Sequence, residues 1–277
     1  MSHGADSPAP PPVRTVLVQL TVGGRKLGVQ VDVPTGRVSP AALLPLYRGM
    51  AEQLTALAVK AAEESGERVS CRMGCAACCR QVVAVSALEA RELVKRAERL
   101  PEPLRTRVKE RFAAARRRLE VEAPHLIPRM LNPQDFATDA PHAADELLEF
   151  GREYLRLRID CPFLEDEKCS IYEHRPVACR QYVVVSPPEH CATLSPQVRA
   201  LLPAGGAAQA WMPVWERSPA TGRPVQFVAL VLAPDFFAAH PEEPPPRPGP
   251  ELVNEFLRRM QTHGKWENKA QPSGENQ

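Results

Sequence analysis

The sequence predicts an α+β fold, mainly helical, with an irregular cysteine-rich metal-binding centre and a short N-terminal β-hairpin. Three observations carry that expectation. Apolar and polar residues alternate on both sides of Gly23-Gly24, several longer stretches repeat apolar residues every three or four positions, and all eight cysteines lie between positions 71 and 191. At 277 residues the chain is long enough for one large or two small domains whose core needs no disulfide staples.

Residues 1–12, MSHGADSPAPPP, are proline-rich and expected to be disordered. The same composition returns in HPEEPPPRPGP, which reads as disordered or extended; together the two stretches hold 10 of the 30 prolines, a content about twice the usual share. Residues 13–36 form the hairpin, with Gly23-Gly24 supplying the positive φ angles of a tight turn. From Pro40 to about Ser65, Leu43, Leu44, Leu46, Tyr47, Met50, Leu54, Leu57 and Ala58 mark an amphipathic helix that Gly66 terminates. QVVAV is a short strand candidate. Ser86-Ala-Leu-Glu89 has capping-box spacing and opens a helix to about Arg99, which Pro101 and Pro103 end. Residues 104–122 form an arginine-rich helix, 124–140 are irregular with three prolines, and 143–157 form a further helix. Beyond Cys191, AWMPVWE and PVQFVALVL read as strands and PELVNEFLRRMQ as a closing helix. The expected division is a cysteine-cluster metal-binding domain over 40–202, a C-terminal extension over 203–262 and a disordered tail over 263–277.

With 35 Lys and Arg against 33 Asp and Glu, the formal charge of +2 gives no global electrostatic case for nucleic acid or anionic lipid. No apolar run approaches the roughly 20 residues of a spanning helix. The N-terminus has neither a basic n-region nor an apolar h-region, so the chain reads as cytoplasmic with no membrane partner. In a reducing compartment, clustered cysteines read as metal ligands or redox groups rather than a disulfide framework.

The first group is Cys71-Arg-Met-Gly-Cys75-Ala-Ala-Cys78-Cys79, in which the Cys75-x2-Cys78 knuckle turns two thiolates toward one ion. Gly74 and the alanines let backbone N–H groups approach the sulfurs. The second group is Cys161, Cys169, Cys179 and Cys191, too widely spaced for one knuckle and so dependent on the fold to converge. Cys78 and Cys79 are adjacent, and neighbouring side chains diverge by about 100° on a helix, which disfavours both binding one mononuclear ion. Eight sulfurs also exceed the roughly four that a tetrahedral ion or a [4Fe–4S] cluster takes, so the count points to two sites or to one site with spare thiols. His174 and His190 are subsidiary ligand candidates. Arg80 and Arg180, each directly after a cysteine, are the expected partners of the negative metal–thiolate charge, ahead of Arg72, Lys168 and Arg175.

CRMGCAACCR, followed about 80 residues later by CPFLEDEKCSIYEHRPVACRQY, resembles the YkgJ-type cysteine-cluster family, the zinc- or iron-chelating CxxCxxCC domain. The resemblance covers roughly residues 71 to 191. It implies that Cys71, Cys75, Cys78, Cys79, Cys161, Cys169, Cys179 and Cys191 are the metal-binding set, framed by Arg175, Pro176 and Arg180. It also implies zinc or an iron–sulfur cluster as cofactor and a metal ion as partner. Its flagellin lysine methylase members imply that such a cluster can accompany methyl transfer.

Two other functions compete for these residues. Cys71-x3-Cys75-x2-Cys78 is also the spacing of radical S-adenosylmethionine enzymes, although those place it after the first strand of a repeated strand–helix series, and here a helix precedes it. A nucleic-acid or protein adaptor would use the basic helices of 91–118, whose arginines are interleaved with glutamates and accompanied by few aromatics. No phosphate loop, nucleophile elbow or H-E-x-x-H motif is present.

Overall fold

A computed structural model describes residues 12–22, 25–131, 143–201, 212 and 227–263. Strands β1 (Val13–Val22) and β2 (Arg25–Pro34) pair antiparallel, from Val13 opposite Pro34 to Val22 opposite Arg25. The expected hairpin is therefore present, while its Gly23-Gly24 connection lies outside the described residues. Along β2 the period-two pattern sends Val29, Val31 and Val33 into the core and leaves Gln30 and Asp32 exposed. After β3 (Arg37–Val38), a 3-10 turn over Pro40–Leu43 leads into α1 (Leu44–Glu64).

Helix α1 buries Leu44, Tyr47, Met50, Ala51 and Leu54, one stripe at helical spacing. It ends in two closing bonds, from the Gly66 amide to Glu63 O (3.0 Å) and from the Glu67 amide to Ala62 O (2.9 Å), the paired pattern of a Schellman stop. That stop releases the chain toward the first cysteines at a fixed point.

Next come β4 (Ala84–Ser86), α2 (Ala87–Glu98), α3 (Leu104–Glu122), α4 (Leu126–Leu131) and α5 (Ala143–Arg156). The predicted capping box is formed: the Ser86 hydroxyl accepts from the Glu89 amide at 3.1 Å, and the Glu89 carboxylate accepts from the Ser86 amide at 3.2 Å. Two expectations need correction here. QVVAV supplies a strand only from Ala84. Within the expected irregular stretch, Leu126–Leu131 is helical, because Pro128 falls in the first turn, where a backbone N–H has no intrahelical partner to lose.

The remaining elements are β5 (Leu164–Glu165), β6 (Lys168–Cys169), α6 (Val177–Gln181), β7 (Val183–Val184), α7 (Pro188–Thr193), β8 (Ala200–Leu201), β9 (Phe227–Ala229), α8 (Ala233–Ala239), β10 (Arg247–Pro248) and α9 (Gly249–His263). PVQFVALVL is a strand only over Phe227–Ala229. A 3-10 turn over Leu230–Leu232 follows, and Pro234, with its fixed φ, opens α8. The closing helix is present as α9; AWMPVWE lies outside the described residues apart from buried Met212. All five sheets among the described residues are antiparallel pairs, β1–β2, β3–β10, β4–β9, β5–β6 and β7–β8, so no strand–helix series of the radical-enzyme type is seen there.

Three apolar clusters hold the fold. The first joins β2, α1 and α9, with Tyr47 stacked on Phe256 at 4.5 Å. Its seam is tight at Gly249, where a Cβ would come within 2.2 Å of the Pro34 carbonyl oxygen. The second joins α2, α3 and α8 to the β5–β6 region, where Phe112 meets Phe163 edge-on at 5.5 Å, a geometry worth about 1 kcal/mol beyond simple burial. The third gathers Leu119, Leu126, Phe150, Tyr154 and Leu232. Among the cysteines, Cys161 and Cys169 pack, partly buried, against the second cluster.

Candidate metal centre

The first cysteine group follows the α1 stop. The Ser70 amide donates to Val184 O at 2.9 Å, and the Val184 amide donates to the Cys71 sulfur at 3.4 Å, so Cys71 is held against β7. Gly74 has φ +84°, and the Cys75 amide closes the turn onto Arg72 O at 3.0 Å. A Cβ at Gly74 would meet nothing within 4 Å, so glycine is needed there for its left-handed backbone and not for space. Cys78 and Cys79 ride on a 3-10 turn, Ala77–Arg80, whose three residues per turn set successive side chains about 120° apart.

The second group is delivered by α5. The Cys161 amide donates to Cys79 O at 2.7 Å, a direct main-chain bond between the two groups. The chain then turns through β5–β6, with Leu164 opposite Cys169 and both Asp166 (φ 47°) and Glu167 (φ 59°) left-handed, as a two-residue type I′ hairpin requires. Arg80 clamps this hairpin to the knuckle, binding Asp160 at 2.9 Å and both Glu167 oxygens at 2.5 and 3.0 Å. Helix α6 carries Cys179, and its first amide, Val177 N–H, donates to the buried Glu89 carboxylate at 2.8 Å. Helix α7 carries Cys191, whose carbonyl accepts from Gln81 Nε2 at 2.6 Å.

All eight cysteines line one cavity of about 950 Å3. Its walls are largely apolar, with Val59, Val82, Phe163, Ile171 and Leu230 among them, and Met73 at 72% exposure stands at its edge. His174 and His190 do not line it; the His190 ring instead faces Gln197 O at 3.3 Å. Among the described residues, no three or more His, Cys, Asp or Glu side chains are gathered tightly enough to hold an ion as they stand. The sulfurs share a cavity, each from its own stretch of wall.

Residues 70–197 match the CxxCxxCC family model, described as "Putative zinc- or iron-chelating domain". This segment, somewhat under half of the chain, is similar to that family. No curated protein and no solved structure matches the chain significantly.

Within the matched segment six of the eight thiols, Cys71, Cys78, Cys161, Cys169, Cys179 and Cys191, are shifted toward their neutral form. Burial pushes Cys161 up to about 12, and burial, then the charges of Cys161, Cys78 and Cys169, raise Cys179 well above the ordinary thiol range. Burial is also the leading cause of the upward shifts at Cys71, Cys169 and Cys191. For Cys78 the hydrogen bond to the neighbouring Cys79 thiol comes first and burial second. The sign for stability follows directly. Without metal, the folded chain keeps protons that an unfolded chain releases above the ordinary thiol value of 9.0, so metal-free stability falls as pH rises past that value. Thermal midpoints of metal-free protein measured from pH 7 upward should decline through this range, whereas a flat profile would show that the thiols titrate alike in both states.

The cation that reaches these sulfurs differs from expectation. Arg175 favours the thiolate forms of Cys71, Cys78 and Cys169, and it stacks on Tyr172 at 4.2 Å. Arg80 is occupied by Asp160 and Glu167. Arg180 is bound to Glu52 and to the Arg175 and Glu173 carbonyls, although it adds a smaller favourable effect at Cys169. Direct sequence adjacency to a cysteine was the misleading signal. A residue one turn before Cys179 has the length to swing back over the cavity.

Basic residues of 91–118 are largely ion-paired on the surface: Lys95 with Glu92 and Glu243, Arg107 and Arg111 with Glu165, Lys109 with Glu98, and Arg116 with Glu120 and Asp235. This is the pattern of a solvated helix face.

Proposed function

We propose that the protein chelates a thiophilic metal, as zinc or an iron–sulfur cluster, through Cys71, Cys75, Cys78, Cys79, Cys161, Cys169, Cys179 and Cys191. The observation that carries this reading is that every cysteine of the chain faces the same cavity, although the two groups are about 80 residues apart. Thiolates suit both zinc and iron–sulfur centres, the apolar walls limit solvent access, and Arg175 offsets part of the negative charge that bound thiolates bring. Because Cys71, Cys78, Cys161, Cys169, Cys179 and Cys191 are shifted toward their protonated form in the metal-free chain, uptake through them releases protons and affinity rises with pH.

Anaerobic purification followed by metal analysis and a visible spectrum tests the reading. Iron with acid-labile sulfide and a brown colour identifies a cluster, and stoichiometric zinc in a colourless protein identifies a zinc centre. Both cysteine groups contribute under this proposal, so Cys75→Ser and Cys169→Ser should each lower bound metal severalfold. Full retention in either variant would remove that group from the site.

A further inference from the structure

We infer that the cysteine cavity also takes an organic anion with an apolar body, whose anionic end binds the Arg175 guanidinium and whose body lies along the apolar wall. This rests on the chelation reading above and adds to it the class of molecule that enters beside the metal.

Arg175 points to a ligand. It follows the Tyr172–His174 turn, lines the cavity and lies over the Tyr172 ring at 4.2 Å. Beyond that ring contact its guanidinium has no hydrogen bond or ion pair among the described residues, the eight cysteines included, and its Nε is shielded from solvent with no acceptor. A charged donor that is withdrawn from water and left without an acceptor is costly, so its place beside a roomy cavity implies an acceptor that enters from outside. Contact with a ring face leaves the in-plane N–H fork open, and that fork matches the two oxygens of a carboxylate.

The other charges of the wall favour the same sign of ligand. Glu167 is bound by Arg80, and Arg180 is bound by Glu52. Arg72, Lys168 and Arg175 are then left against the single carboxylate of Glu173. Exposed Arg72 and Lys168 draw an anion toward the opening, and half-buried Arg175 receives it.

The apolar part of the wall sets the rest of the ligand. Val59, Val82 and Val83 line the cavity, and exposed Met73 stands at its edge. At about 950 Å3 the space is at the upper end of the roughly 300–1,000 Å3 of organic-ligand sites, and a metal about 2.3 Å from its sulfurs fills only part of it. An inorganic anion gains nothing from the valines, and a neutral alkyl chain gains nothing from Arg175. A medium-chain carboxylate gains from both.

The test is isothermal titration of the full-length protein, purified anaerobically with its metal, with octanoate, 1-octanol and inorganic phosphate in turn. Octanoate should bind about tenfold more tightly than either of the others. Arg175→Gln should remove that advantage over octanol, Arg175→Lys should restore part of it, and Arg117→Gln, on the exposed face of α3, should leave it unchanged. Equal affinity for octanoate and octanol overturns the inference, as does equal affinity for octanoate and phosphate, no binding of octanoate, or full octanoate affinity in Arg175→Gln. Metal is measured on every sample. Loss of metal from Arg175→Gln in step with octanoate would assign Arg175 to the metal centre and overturn the inference too. If Arg175→Gln does not give the wild-type circular dichroism, the wild-type ratio of octanoate to octanol affinity decides alone. Wild-type protein that holds no metal sinks the chelation reading instead, a result that the metal analysis gives independently of octanoate.

Discussion

Removing metal from the purified protein with a strong chelator lowers its thermal midpoint by roughly 8–16 °C. A ligand present at a thousandfold excess over its Kd contributes about 4 kcal/mol to the folded state, and each kcal/mol moves the midpoint of a chain this size by about 2–4 °C. The segment affected first is the wall that carries Cys161, Cys169 and Cys179. Phe163, Ile171 and Val177 anchor it in apolar contacts, yet Tyr172 is 42% exposed and the thiols between the anchors face a cavity. Scanning calorimetry before and after chelation, with limited proteolysis over residues 158–191, reads the effect. Re-addition of metal should restore both. An unchanged midpoint and unchanged cleavage would mean that the metal has no structural role.

Replacing Glu89 with Ala destabilises the protein by about 3–5 kcal/mol, comparable to breaking a buried charged network. This carboxylate is 0% exposed and accepts from the Ser86 amide, the Ser86 hydroxyl and the Val177 amide. Its loss leaves the Ser86 amide and the Val177 amide at the start of α6 without their acceptor, and α6 carries Cys179. Ser86→Ala, which removes only the cap on α2, should cost about 1 kcal/mol. Urea midpoints of the two variants give the comparison, and equal losses would argue that the Val177 bond contributes little. Metal binding should weaken in Glu89→Ala and stay near wild type in Ser86→Ala.

Glu89 also marks where the sequence was informative and where it stopped. Ser86 and Glu89 signal a capping box by spacing alone, because both hydrogen bonds form within four residues. The bond to Val177, 88 positions away, has no such signature. The helices at 87–98 and 104–122 were legible for the same local reason, since their apolar period does not depend on distant contacts. The hairpin at Leu164–Cys169 was not, because its left-handed turn positions are filled by Asp166 and Glu167 where glycine or asparagine would have advertised them. Helix Leu126–Leu131 was hidden by a proline that normally argues against helix. At the site, spacing grouped the cysteines, and the motif pointed to the zinc- or iron-chelating family model that residues 70–197 match. That both groups face one cavity is a tertiary fact, and so is the choice of Arg175 over Arg80 and Arg180.

The bond from the Cys161 amide to the Cys79 carbonyl uses no side-chain atom of either residue. Replacing a thiol at either position therefore changes a sulfur of the cavity wall while leaving intact the seam that joins its two parts. On the chelation proposed above, donor identity and scaffold are separable, so the side chains of the wall can be exchanged one at a time on a frame that the peptide backbone maintains.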